Sequence, residues 1–113
     1  MAYDEALTER MRNALKRRKH ISEKRMMGGV CFLQNGNMLS GADRPKNGVS
    51  RFMFRVGKDQ QAEALTRPGA TAMEQGGRRM TGLVFVDEKD CNETELRAWL
   101  ALATKFVSSL PAK

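Results

Sequence analysis

The sequence predicts an α+β fold: a two-layer sandwich of an antiparallel sheet of about five strands, with helices mainly on one face. Apolar residues recur at helical spacing near both ends of the chain, and short apolar segments separated by turn residues fill the middle. Together they predict the order αβββαββα with hairpin connections. At 113 residues, the chain is expected to be one domain, residues 1–113.

The first helix is predicted over residues 4–19, where Leu7, Met11 and Leu15 form one apolar stripe. A short helix is predicted over residues 59–66, because Arg-Pro-Gly follows and stops it.

The terminal helix has the clearest signal. Asn92 is followed three residues later by Glu95, a spacing typical of a capping box at a helix start. Apolar residues then keep the helical period until Pro111, which ends the predicted helix.

Residues 25–33 are predicted to form one strand, with Gly28 and Gly29 at a bend or bulge. Asn35-Gly36 is the favoured pair for a two-residue type I′ hairpin turn, because both residues tolerate positive φ. The strands on either side of this turn are therefore antiparallel. Further strands are predicted over residues 37–42, 51–56, 72–74 and 79–86.

Two of these strands are apolar at consecutive positions, over residues 30–33 and 83–86. A sheet with one solvated face alternates instead, so both faces are expected to carry apolar groups. If the helices cover one face, the other is left partly bare, and such a patch usually meets a partner, often a second copy. The alternative is that a helix or loops cover the far side. The residues expected at a self-association surface are Cys31, Leu33, Met53, Leu83 and Phe85.

The net charge of +7 is concentrated in residues 10–25, where eight Lys or Arg accompany one Glu. These cations could neutralise phosphates and give salt-sensitive, sequence-independent binding. The alternative is a helix carboxyl terminus with dipole-compensating cations and a solvated loop. The absence of an aromatic residue in the run, where a base could stack, favours this alternative. The candidate nucleic-acid contacts are Lys16, Arg17, Arg18, Lys19, Lys24 and Arg25.

Most catalytic and metal-binding arrangements lack the residues they need. His20 is the one histidine, Cys31 and Cys91 lie far apart, and no P-loop or Cys-x-x-Cys is found. The sequence therefore predicts a non-enzymatic protein with no metal, cofactor or small-molecule substrate. An acidic amphipathic amino terminus and short apolar runs predict a cytoplasmic protein without membrane contact.

Segments in order along the chain resemble the TfoX N-terminal domain family: MAYDEAL, KRMMGGVCFLQNGNM, FRVG, RPGA, GRRMTGLVFVD and a last helix ending in SLP. Met27 stands where the family usually has Phe, and the loop over residues 43–50 is longer than usual. The resemblance implies a secretion-chaperone-like fold and a link to TfoX/Sxy regulators of competence. Those regulators are thought to act at promoters with the cyclic-AMP receptor protein rather than by catalysis. Full regulators carry a second, helical domain, and this sequence ends where the first is expected to end. A homodimer or another protein partner is expected.

Overall fold

A computed structural model describes residues 5–26, 29–44, 48–75 and 78–112. The helices are α1 (Glu5–Leu15), α2 (Gln61–Ala64) and α3 (Glu93–Val107), with 3₁₀ turns at Lys58–Gln60 and Glu88–Asp90. The strands are β1 (Ile21–Met26), β2 (Gly29–Gln34), β3 (Asn37–Asp43), β4 (Arg51–Arg55), β5 (Ala70–Gln75) and β6 (Arg78–Asp87). These elements confirm the predicted α+β class.

The strands form one sheet in the order β1-β2-β3-β4-β6-β5, with every neighbouring pair antiparallel. The sheet has six strands, one more than the approximate number predicted. Residues 25–33 are divided between two strands instead of forming one, because Arg25 pairs with Val30 and Met26 with Gly29. β1 and β2 are therefore two separate, antiparallel strands. The bend predicted at Gly28 lies outside the described residues.

The hairpin turn predicted at Asn35-Gly36 is confirmed. The two residues have φ of 53° and 81°, the positive values that a type I′ turn requires. Gln34 and Asn37 pair on either side of the turn. Glycine is needed at position 29 for another reason, since a Cβ there would lie 2.5 Å from the carbonyl oxygen of Ala42.

Two helices are shorter than predicted. α1 ends at Leu15 rather than at residue 19, and residues 16–20 form a turn into β1. Within this turn the Arg18 N–H donates to the Leu15 carbonyl at 2.9 Å, and His20 has a φ of 64°. The helix predicted over residues 59–66 is a 3₁₀ turn followed by the single turn of α2.

The capping box predicted for α3 is present. The Asn92 side chain accepts a 2.8 Å hydrogen bond from the Glu95 N–H, and the Glu95 carboxylate accepts one of 3.1 Å from the Asn92 N–H. Both amide groups would lack intrahelical partners otherwise, so the pair fixes the start of α3.

The core lies between the helices and one face of the sheet, called here the inner face. The Phe54 ring stacks on Trp99 of α3 at 5.3 Å between centroids. The inner-face residues in this core are Val30, Phe32, Ala42, Phe52, Phe54, Val84 and Val86. The helices contribute Leu7, Met11, Leu15, Ala64, Leu96, Trp99, Leu100, Leu102, Ala103 and Val107. All belong to one buried cluster, so the three helices cover the same side of the sheet.

Candidate interaction surface

The side chains that alternate with the core residues lie on the opposite side of the sheet, called here the outer face. Strand register places one line of residues straight across it, from β1 through β2, β3, β4 and β6 to β5. That line is Lys24, Cys31, Gly41, Met53, Phe85 and Thr71. Leu33 lies on the same face, because it is two residues after Cys31 on β2. Leu83 also lies there, because it is two residues before Phe85 on β6. The structure therefore brings all five residues of the predicted self-association surface onto one face.

No described helix covers the outer face, since the buried residues of α1, α2 and α3 belong to the inner cluster. The face is nevertheless less bare than the sequence predicted. Cys31 is only 5% exposed, and Leu33, Met53, Leu83 and Phe85 are half-buried. Within the described residues, Val49 is the large hydrophobic residue with an exposed side chain. The apolar band is thus partly screened by its own neighbours.

Arg51 provides much of this screening. Its guanidinium carbon lies 3.6 Å from the centroid of the Phe85 ring, within the range of a cation–π contact. The same guanidinium holds both carboxylate oxygens of Asp43, at 2.8 Å and 3.2 Å. This side-on pairing fixes Arg51 flat over the ring. Asp87 pairs with Arg51 across the strands, so a charged line, Asp43, Arg51 and Asp87, borders the apolar band.

Sequence reasoning missed two features of this face. Met38 pairs with Leu33, where a β-bulge shifts the register of β2 and β3 and sends Leu39 into the core. Gly41 allows close packing at the centre of the band, since a Cβ there would lie 3.2 Å from the Val30 carbonyl oxygen and 3.3 Å from the Met53 methyl. Only the register reveals either feature, because the bulge breaks the simple alternation in β3.

Both cysteines are free and buried. Burial raises the pKa of the Cys31 thiol, against a smaller opposing effect of Lys24. Burial also raises the pKa of the Cys91 thiol to about 11. Both are therefore neutral thiols near pH 7 rather than reactive thiolates. Over the described ranges, no three His, Cys, Asp or Glu side chains are grouped closely enough to hold a metal ion.

The predicted nucleic-acid residues are not brought together as a single set. Lys16, Arg17 and Lys19 are exposed in the turn after α1, whereas the Arg18 guanidinium is held by the Thr104 hydroxyl of α3. Lys24 is exposed on the outer face, where it pairs with Cys31. Arg25 pairs with Val30 and lies on the inner-face side of β1. The segment is therefore split into a turn cluster and two strand residues that point to opposite sides.

No known protein family, curated protein or solved structure matches the chain. The described helices include none that is long and apolar enough to span a membrane.

Proposed function

We propose that this chain is a non-enzymatic protein-interaction module that self-associates through its outer face. The observation that carries the proposal is the one-sided placement of the helices. α1, α2 and α3 all bury their apolar residues against the inner face, while an apolar band crosses the middle of the uncovered face. Burying that band against a partner would gain about 25 cal/mol for each Å² of apolar surface.

The size of the face suits a modest interface. Six strands about 4.8 Å apart and about six residues long, at about 3.3 Å each, give a surface of about 29 Å by 20 Å. Two such faces in contact would bury about 1,100 Å², near the lower limit of specific, stable interfaces. A reversible dimer is therefore expected rather than an obligate one.

Charge favours a second copy as the partner. The chain carries +7, which opposes the approach of two copies over most of their surface. On the outer face, two described cations, Lys24 and Arg51, accompany two described anions, Asp43 and Asp87. Arg55 is not counted, because its guanidinium is directed toward α3 and lies 5.4 Å from the centroid of the Phe106 ring. The described side chains of the outer face are thus near neutrality in sum, and repulsion between copies is expected to be weakest there.

The resemblance to the TfoX N-terminal domain family adds a context for this module. In that context the self-associated chain would act with proteins that regulate transcription of competence genes. The segments KRMMGGVCFLQNGNM and GRRMTGLVFVD, which carry much of the resemblance, include the β2–β3 hairpin turn and β6. The segments that carry the resemblance and the residues proposed for the outer-face contact therefore lie in the same part of the sheet.

A charge placed at the centre of the band tests the proposal. Met53→Glu would put an unpaired carboxylate into the interface, which costs about 3 kcal/mol or more when a charge is buried without a partner. The dimer dissociation constant, measured by sedimentation equilibrium over a range of protein concentrations, is expected to rise at least 100-fold. Ala98→Glu adds the same charge at an exposed position of α3 and is expected to leave the constant within about twofold.

Two outcomes would contradict the proposal. One is a wild-type chain that remains monomeric at its highest soluble concentration. The other is an equal loss of association in Met53→Glu and Ala98→Glu, which would show that the loss is not specific to the outer face. Far-ultraviolet circular dichroism of both variants shows that the comparison is between folded proteins.

A further inference from the structure

Exposed cations gather at one end of the molecule, where α1 and α3 both finish. The turn after α1 presents Lys16, Arg17 and Lys19, and the last turn of α3 presents Lys105. Arg18 joins the two, since its guanidinium donates to the hydroxyl of Thr104, next to Lys105. We define these four exposed cations, Lys16, Arg17, Lys19 and Lys105, as the basic end.

The segments around the basic end are held in place by hydrogen bonds. The Asn35 N–H donates to the His20 carbonyl at 3.0 Å, which fixes the turn against the β2–β3 hairpin. The Gln34 side chain donates to the Ser108 hydroxyl at 2.9 Å, and the Asn37 side chain donates to the Pro111 carbonyl at 2.9 Å. The cations therefore extend from a rigid base.

These segments contain no acidic residue. Residues 16–22, 33–39 and 100–112 include neither Asp nor Glu. The nearest acidic residue to the turn in sequence, Glu23, is already bound to Arg12 through both carboxylate oxygens, at 2.6 Å and 2.7 Å. Among the described residues, no carboxylate forms an ion pair with Lys16, Arg17, Lys19 or Lys105.

Compensation of the helix dipoles accounts for only part of this charge. Each helix carboxyl terminus is equivalent to about −0.5 elementary charge, so α1 and α3 together present about −1. The basic end and Arg18 supply five positive charges within the same region. About four positive charges therefore remain beyond those that compensate the dipoles of α1 and α3.

The geometry points to a binding site for the phosphate backbone of nucleic acid at the basic end. The ligand contacts are Lys16, Arg17, Lys19 and Lys105, with Arg18 as the residue that positions the turn. Lys24 and Arg25 lie outside the site, because their strand positions direct them to opposite faces of the sheet. The turn has no Phe, Tyr or Trp to stack on a base, so the site is expected to contact phosphates without reading sequence. It also has no apolar side chain to insert into a bilayer, which favours nucleic acid over a membrane.

Fluorescence anisotropy with a labelled DNA duplex of about 20 base pairs, and with a single strand of the same sequence, tests the site. Four phosphate contacts predict a slope of log K against log salt of about −3.6 for the duplex, and about −2.8 for the single strand. Affinity for the duplex is then expected to fall about 100-fold between about 50 mM and 200 mM salt. Removing three cations in Lys16→Ala/Arg17→Ala/Lys19→Ala should bring the duplex slope close to −1. Arg18 is left intact so that the turn keeps its anchor.

A matched control removes three exposed cations elsewhere, in Lys24→Ala/Arg44→Ala/Lys89→Ala. This control is expected to keep the steep slope of the wild type. Three results would overturn the site: no saturable binding at about 50 mM salt, equal losses in the two triple variants, or tighter binding to phosphatidylserine vesicles than to the duplex. Circular dichroism of each variant excludes loss of the fold as the cause.

Discussion

Gly57 shows how much a single residue can decide in this fold. It follows β4 with a φ of 81°, and a Cβ at this position would stand 2.7 Å from Cγ of Phe106 on α3. The Val56 and Gly57 N–H groups also donate to the Gly82 carbonyl, at 2.8 Å and 3.2 Å. The absence of a side chain therefore allows the end of β4 to pass close beneath α3.

The chain offers a matched control for this position. Gly48 has nearly the same φ, 79°, and no atom within 4 Å of its hypothetical Cβ. Gly48→Ala is expected to lower the free energy of unfolding by about 1 kcal/mol, the cost of a left-handed backbone. Gly57→Ala adds the clash and is expected to lose about 3 kcal/mol, measured by urea denaturation. Equal losses would show that Phe106 moves aside freely.

At this scale, the sequence predicts apolar positions well and contacts poorly. In residues 51–56, apolar side chains at every second position put Phe52, Phe54 and Val56 on one face of the strand, and all three are fully buried in the core. The five outer-face residues were found because consecutive apolar residues imply two apolar faces. Arg51 over Phe85 was not predicted, because it depends on which residues pair between β4 and β6.

Among the elements, β1 makes little use of apolar burial: Ile21 is partly buried against the core, and residues 22–25 are exposed. Its exposed side chains give it no hydrophobic period, and it is the edge strand next to β2. Arg12 of α1 instead holds Glu23 of β1 by two hydrogen bonds, of 2.6 Å and 2.7 Å. This explains why the sequence did not reveal β1 as a separate strand. Apart from the packing of Ile21, its stabilising contacts are backbone pairing and an ion pair, and neither produces a recognisable pattern.

The Arg12–Glu23 ion pair predicts that the stability of the fold depends on pH. Hydrogen bonding to Arg12 lowers the pKa of Glu23 below the usual 4.5, against a smaller opposing effect of burial. A lowered pKa means that the ion pair stabilises the folded state fully above pH 4.5, and that this contribution is lost as the pH falls below it. Glu9 and Glu5 also face Arg12 and keep part of its charge paired.

Glu23→Gln is therefore expected to lower the stability at pH 7 by about 0.5 kcal/mol, as usual for exposed ion pairs. The difference from the wild type should shrink as thermal unfolding is measured at successively lower pH below 4.5. Glu63→Gln removes the same charge from an exposed residue for which the described structure has no ion pair. A stability difference between Glu23→Gln and the wild type that stays constant with pH would argue against a stabilising Arg12–Glu23 ion pair.

For the whole molecule, the two proposed surfaces do not overlap. The outer face is the side of the sheet away from the helices, whereas the basic end lies at the turn after α1 and the last turn of α3. Face-to-face pairing of two copies would therefore leave both basic ends open to solvent. The sequence indicated both surfaces. It could not show that Lys24 and Arg25 lie apart from the turn cations, because that follows from the pairing of β1, which directs these two side chains to opposite sides of the strand.

Contact between the outer faces of two copies can be observed most directly at Met53. In a mixture of isotope-labelled and unlabelled chains, nuclear Overhauser effects between copies report protons that lie close together across the interface. We predict effects between the Met53 methyl of one copy and outer-face protons, such as those of Leu83 and Phe85, of the other. Their absence, in a monomer or in an assembly that forms through other residues, would contradict the account.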